Sequence, residues 1–181
     1  MAQNSFWSEA SRGGAILGLA GVVFSLLGMA LPSIAFIASL ANFVVTIYLL
    51  FYFTRRRSML FTEEGFTYTQ SLGFIVAMAI FAGIIAGAYQ IVASNFLFSD
   101  MFEESVTTSL ATLKQTGLYN NDMMDQMSST MRSYIFSPIP ALLSNIVGNV
   151  LLFGFYGLFI SIGTKREPDI FDTNFEEEDE E

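Results

Sequence analysis

Residues 13–54 read GGAILGLAGVVFSLLGMALPSIAFIASLANFVVTIYLLFYFT, 42 positions without a charged residue. A membrane-spanning helix needs about 20 consecutive apolar residues. The stretch is therefore too long for one span and about right for two. Leu31-Pro32-Ser33 divides it, because proline lacks an N–H and disfavours helix in the residue before it. The pattern predicts helix 1 over about 13–30 and helix 2 over about 34–54.

Two further uncharged runs follow, residues 65–99 and 133–164. They predict helix 3 over about 71–95 and helix 4 over about 140–163. Strand-like alternation is absent, and backbone groups in hydrocarbon must pair within their own segment, so each run is read as helix. The fold class expected is all-α: an integral membrane four-helix bundle, residues 13–166, with a short amphipathic helical insert, residues 99–137, outside the cytoplasm between helices 3 and 4. Residues 1–12 are expected to form a cytoplasmic N-terminus. A cleavable signal peptide competes for helix 1, with Arg12 as its basic segment and Ala30 ending its apolar one. The apolar stretch is too long for that, and another span follows at once.

Composition removes several chemistries. The 181 residues include no His and no Cys. Imidazole bases, thiolate nucleophiles, zinc fingers and disulfides are therefore excluded. Hydrophobic residues make up 52% and mean hydropathy is +0.51. All 8 basic and 17 acidic residues fall outside the three apolar runs.

The basic residues set an orientation. Arg12 precedes helix 1, Arg55-Arg56-Arg57 follows helix 2, and Lys165-Arg166 follows helix 4. The connection between helices 3 and 4 carries only Lys114 and Arg132. Lys and Arg concentrate on the cytoplasmic side of membrane proteins. Both termini are thus expected inside, with Arg55, Arg56, Arg57, Lys165 and Arg166 as topology anchors. Three adjacent arginines are fewer than the usual anionic-lipid cluster. Trp7, Tyr48, Tyr52, Tyr68, Tyr89 and Tyr134 fall near the expected interfaces, where an amphipathic ring is favoured. Phe61, Phe66 and Tyr68 are expected along the inner surface, with Glu63-Glu64 turned to water.

Within the spans, Gly14, Gly18, Gly21, Ser25 and Gly28 recur at spacings of 4, 3, 4 and 3. This is a seam of small residues on one helix face, which lets two backbones approach closely. A narrow pore lining is the functional alternative. Gly83 and Gly87 form a second small-xxx-small pair, and helix 4 carries Gly154, Gly157 and Ser161. No ionisable residue lies in any span, which counts against proton relays and voltage sensing. The polar groups are neutral: Asn42 with Thr46, Gln90, Asn145 and Asn149. Asn42 falls near the midplane by residue counting, the others in the outer half. Asn145 and Asn149 share a helix face. Interhelical hydrogen bonding is the plain reading of this cluster and an outward-opening polar site the functional one.

In the insert, Phe102, Val106, Leu110 and Leu113 recur at helical spacing, with Gly117 as a C-terminal stop. Asn121 or Asp122 is the expected cap of a second helix. There Met124, Met127 and Met131 form a stripe, with Met123 beside it. Thioethers are ligands for Cu(I), but such a stripe is more often apolar packing. Residues 167–181 hold nine acids and no base. That tail cannot bury enough apolar surface to order itself and is expected to be a disordered cytoplasmic extension.

This layout resembles the family called domain of unknown function 4199, small four-span proteins of Bacteroidetes. The likeness rests on the Gly-rich first span from Gly13, on Thr67-Tyr68-Thr69-Gln70-Ser71-Leu72-Gly73-Phe74 leading into span 3, and on Tyr89 near the end of that span. The acidic amphipathic insert and the Pro-led last span complete it. The resemblance implies a bacterial inner-membrane location. It supplies no activity and no functional residues.

The leading expectation is a non-enzymatic structural or accessory inner-membrane protein. The alternative is a small-solute channel or carrier with a neutral polar path. No catalytic signature such as GxSxG, HExxH or a P-loop occurs. No cofactor is expected. The partners implied are the lipid bilayer and a second copy of the chain or another membrane protein. Nothing favours nucleic acid, since basic patches are absent.

Overall fold

The computed structural model describes residues 2–61 and 65–167, with side chains from residue 5 onward. Glu63, Glu64 and residues 168–181 lie outside the described residues, and with them nearly all of the acidic tail. The chain runs α1 (Ala2–Ala30), a short 3-10 turn (Pro32–Ile34), α2 (Ala35–Ser58), α3 (Tyr68–Val92), a π turn (Ala93–Leu97), α4 (Ser99–Gln115), α5 (Asn121–Phe136) and α6 (Pro138–Thr164). The protein is an all-α membrane helical bundle. Helices α1, α2, α3 and α6 are each long and apolar enough to cross a membrane.

The break between α1 and α2 lies where proline was expected to place it, with Pro32 opening the 3-10 turn. The start of α1 differs from expectation. The helix begins at Ala2, not near residue 13, so residues 2–12 are continuous with the first span. Hydropathy ends at Arg12, but the backbone does not, because Ala10 is fully buried and Glu9 pairs with Arg57 of α2. At its far end α2 continues through Arg55, Arg56 and Arg57 to Ser58, placing cations in the last turn, where the helix dipole favours them. Helix α3 starts at Tyr68 because Thr67 and Gln70 form a capping box. Thr67 Oγ1 accepts from the Gln70 amide at 3.2 Å, and Gln70 Oε1 accepts from the Thr67 amide at 2.9 Å.

Helix α3 is the centre of the bundle. Half of its apolar window (50%) is buried, against 11% for the segment containing α2. It runs parallel to α1 and antiparallel to α6. Gly14 and Gly18 of α1 abut α3. A Cβ on Gly14 would lie 2.5 Å from the Met78 carbonyl oxygen, and one on Gly18 2.9 Å from Ile85 Cβ. Between α3 and α6 the small residues alternate sides. Gly83 and Gly87 of α3 receive Ile146 and Leu142, whereas Gly157 of α6 receives Leu72 and Ile75. Phe74, Ile75, Met78, Leu50, Leu17, Phe153 and Ile160 fill the core between the helices.

The outer surface reverses the pattern of a soluble protein. Ile139, Leu143, Val147, Leu151 and Phe155 form an exposed stripe at four-residue spacing along α6. Phe36, Ile37, Leu40, Val44 and Tyr48 do the same on α2. Apolar surface this extensive and continuous is a membrane contact.

Helices α4 and α5 form a hairpin over the end opposite the Arg triplet. Asn120, not Asn121 or Asp122, caps α5, its Oδ1 accepting from the Met123 amide at 2.8 Å. Gly117 stops α4 with φ +67°, a left-handed conformation that suits glycine. Three side chains at the end of α3 hold the last turn of α5, whose carbonyls have no helical partner. Gln90 Nε2, Ser94 Oγ and Asn95 Nδ2 donate to the carbonyls of Tyr134, Ile135 and Phe136 at 3.5, 3.0 and 3.2 Å.

Candidate functional site

The bundle is close-packed through its middle and hollow towards the hairpin. On the side of the α4–α5 hairpin, two adjoining voids of about 170 and 280 Å³ lie among α1, α2, α3 and α6. Both are lined by Gly21, Asn42, Ala86 and Asn149. The larger also takes in Gln90 and Asn145, so all four amides singled out in the sequence, on three different helices, line one void.

The amides are paired unequally. Asn145 Nδ2 donates to Gln90 Oε1 at 2.6 Å and to its own helix at the Ala141 carbonyl, 2.8 Å. Asn149 Nδ2 donates to the Asn145 carbonyl at 2.9 Å, within α6. Asn42 Oδ1 is buried without a hydrogen-bond partner among the described residues. A buried unpaired carbonyl oxygen costs on the order of 1–3 kcal/mol. The void thus holds one satisfied interhelical pair and one unsatisfied acceptor.

The seam on α1 divides at this void. Gly14 and Gly18 make the close contacts expected of it. Gly21 does not: a Cβ there would meet nothing within 4 Å, because Gly21 and Ser25 line the void instead. Gly28 makes only ordinary contact, 3.8 Å to Ala35 just after the turn. Five small residues at heptad spacing share a face, but the neighbouring helix stays close along only half of it. Gly154 likewise meets nothing within 4 Å.

At the other end the helix termini converge. The Ser58 hydroxyl donates to the Thr164 carbonyl at 2.8 Å, and the hydroxyls of Ser71 and Thr164 lie 2.7 Å apart. Phe66 and Arg166 exchange backbone hydrogen bonds at 2.9 and 2.8 Å in an isolated antiparallel bridge. The Phe66 side chain is buried at this end of the bundle. Tyr68 donates from its hydroxyl to the Leu158 carbonyl at 3.3 Å.

Five basic residues were expected at this end as topology anchors. Arg55, Arg56, Lys165 and Arg166 are exposed. Arg57 is not: its side chain is only 6% exposed, pairs with Glu9 and lies against the rings of Phe6, Phe61 and Phe74 at 4.9, 5.4 and 5.0 Å. Cation–π attraction and the ion pair both act against the cost of burying the guanidinium. No local spacing marks this arrangement, since Glu9 and Arg57 lie 48 residues apart.

In the insert, Met123, Met127 and Met131 line an open groove of about 300 Å³ with Gln126 and Thr130, and Met124 is half-buried. Arg132 pairs with Glu103 across the hairpin at 2.6 Å. Among the described residues no His, Cys, Asp or Glu grouping suits a metal ion.

No curated protein and no solved structure matches the chain. A family model described as protein of unknown function, DUF4199, matches residues 12–166, and this takes in all of α2 to α6 and most of α1. The four-span layout with a helical hairpin between the third and fourth spans is thus that of a DUF4199 protein, and the chain belongs to this family.

Proposed function

We propose that the protein is a non-enzymatic structural or accessory component of the bacterial inner membrane, with both termini and the Arg triplet on the cytoplasmic side. The observation that carries this reading is the close-packed layer that closes the inner end of the amide-lined void. The amide-lined void reaches Thr46, Phe153 and Tyr156 and stops there. Beyond it Leu50, Phe74, Ile75 and Met78 pack with almost no exposed surface. A transport path needs continuous polar lining, and here it gives way to a close-packed core. The void is lined by amides, hydroxyls and apolar groups, with no nucleophile beside a base.

The orientation is supported by the charges. Arg12, the Arg triplet, Lys165 and Arg166 gather at one end, while Asp100, Glu103, Glu104, Asp122 and Asp125 outnumber Lys114 and Arg132 in the hairpin. A carrier of small neutral solutes is the second reading, and the unpartnered Asn42 Oδ1 favours it. Solute efflux from proteoliposomes decides between them. The structural reading expects vesicles holding the protein to leak urea and glycerol no faster than empty ones. Protein-dependent flux abolished by Asn42→Leu would replace it with the carrier.

A further inference from the structure

The arginine end of the bundle holds a second cavity, separate from the amide-lined void. It measures about 120 Å³ and is lined by Glu9, Arg12, Phe53, Arg56, Arg57 and Phe74. Three arginines and one glutamate line this single space, an excess of two positive charges. Glu9 is committed to Arg57. Among the described residues neither Arg12 nor Arg56 has an ion-pair partner. The volume is several times the roughly 30 Å³ share of a water molecule.

Arg57 is also a wall of a neighbouring groove of about 440 Å³, lined by Phe6, Trp7, Phe61, Phe66, Gln70 and Gly73. The groove is largely aromatic, and Trp7 at its edge is 56% exposed. A cationic cavity and an apolar groove therefore share one buried side chain, at the end of a bundle whose outer surface is lipid-facing. Arg57 is held by Glu9 and three rings before any ligand arrives, so little side-chain freedom is lost on binding. Guanidinium forks match phosphate oxygens in geometry as well as charge.

We propose that this pair of spaces is a binding site for one anionic phospholipid, its phosphodiester held by Arg12, Arg56 and Arg57 and its glycerol and first acyl carbons lying in the Phe6–Phe61–Gly73 groove. Occupancy does not depend on which of the two functional readings holds. A surface attraction would use every basic residue at this end equally. The site uses Arg12, Arg56 and Arg57, and leaves out Arg55, which lies over Phe51 at 5.7 Å, and Lys165.

The test uses the full chain in neutral detergent, with native mass spectrometry to count retained lipid and a thermal-shift assay to follow stabilisation. The probes are phosphatidylglycerol, phosphatidylcholine and soluble glycerol 3-phosphate. Wild type should retain one phosphatidylglycerol in preference to phosphatidylcholine. Arg12→Gln with Arg56→Gln should weaken that binding roughly tenfold or more while sparing the Glu9–Arg57 pair. Arg55→Gln with Lys165→Gln removes the same charge from the same end and should leave it unchanged. Gly73→Leu is the second handle. Gly73 is open on the groove side, with nothing within 4 Å of an added Cβ, so leucine fills the groove without touching a charge. It should weaken phosphatidylglycerol as well. Equal losses in the two double variants would overturn the site in favour of general surface attraction. Full displacement of the lipid by equimolar glycerol 3-phosphate, or undiminished binding by Gly73→Leu, would make the ligand a free phosphate and overturn the lipid assignment.

Discussion

Asn145 Nδ2 and Gln90 Oε1 meet at 2.6 Å inside the hollow half of the bundle, joining α6 to α3. The other end of the Gln90 amide reaches the Tyr134 carbonyl at 3.5 Å, a long contact. One glutamine thus bonds to both α5 and α6, and its partner on α6 is Asn145. Asn149, one turn further on, is occupied within its own helix.

The pairing predicts which amides are coupled. Gln90→Leu and Asn145→Leu should show an interaction energy of about 0.6 kcal/mol, reaching ~1.7 kcal/mol at most. Gln90→Leu and Asn149→Leu should add within about 0.5 kcal/mol. Reversible unfolding in mixed detergent, run on both double-mutant cycles, checks this. Larger coupling in the Asn149 cycle would mean that the wrong asparagine has been assigned to Gln90.

Close approach at glycine gives a sharper contrast. A Cβ on Gly83 would lie 2.6 Å from Ile146 Cα, a backbone atom that cannot turn aside. Gly83→Ala should cost about 1–3 kcal/mol. Gly21→Ala faces open space and should be neutral or stabilising by up to about 1 kcal/mol through helix propensity. Thermal unfolding of the two variants side by side reads the difference, and equal destabilisation would contradict the placement of the void beside Gly21.

The capping box at Thr67 should contribute on its own. Thr67→Ala removes the acceptor for the Gln70 amide and should lower stability by about 0.5–2 kcal/mol. Thr67→Ser keeps the acceptor and should recover most of the loss. Failure of serine to restore stability would assign the effect to the methyl group instead.

Topology can be read directly because the chain has no cysteine. Thr112 in α4 and Thr69 at the start of α3 are both exposed. Thr112→Cys should react with an impermeant maleimide in spheroplasts, and Thr69→Cys only after lysis. The opposite order would invert the proposed orientation.

Hydropathy was enough to find the spans, since a run without charge is itself the physical requirement for crossing lipid. It failed at residues 2–12, where Glu9 and Arg12 end the apolar run but not the helix. That continuation depends on Arg57, 48 positions away, and on burial of Ala10. Periodicity placed Gly14 through Gly28 on one face. Which part of the face meets a neighbour depends on how α2 and α3 diverge around it, and no local spacing records that divergence. The amides were legible as a group because asparagine and glutamine are conspicuous among Leu, Ile and Phe. Their pairing was not, because side chains on three helices had first to be brought together. The arginine cavity was hidden for the same reason: Arg12 and Arg56 belong to helices whose relative register sequence spacing does not specify.

The central position of α3 bears on how this sequence can change over generations. Residues on the outer stripes of α2 and α6 face only lipid, so one aliphatic side chain replaces another there freely, and differences accumulate position by position. On α3 a side chain at Gly83 or Gly87 meets the backbone of α6 at Ile146 or Leu142, which no substitution there removes, whereas a side chain at Gly157 of α6 meets only the side chains of Leu72 and Ile75. Divergence along the middle of the bundle is therefore closed at Gly83 and Gly87, and at Gly157 it must advance together with Leu72 and Ile75 of α3.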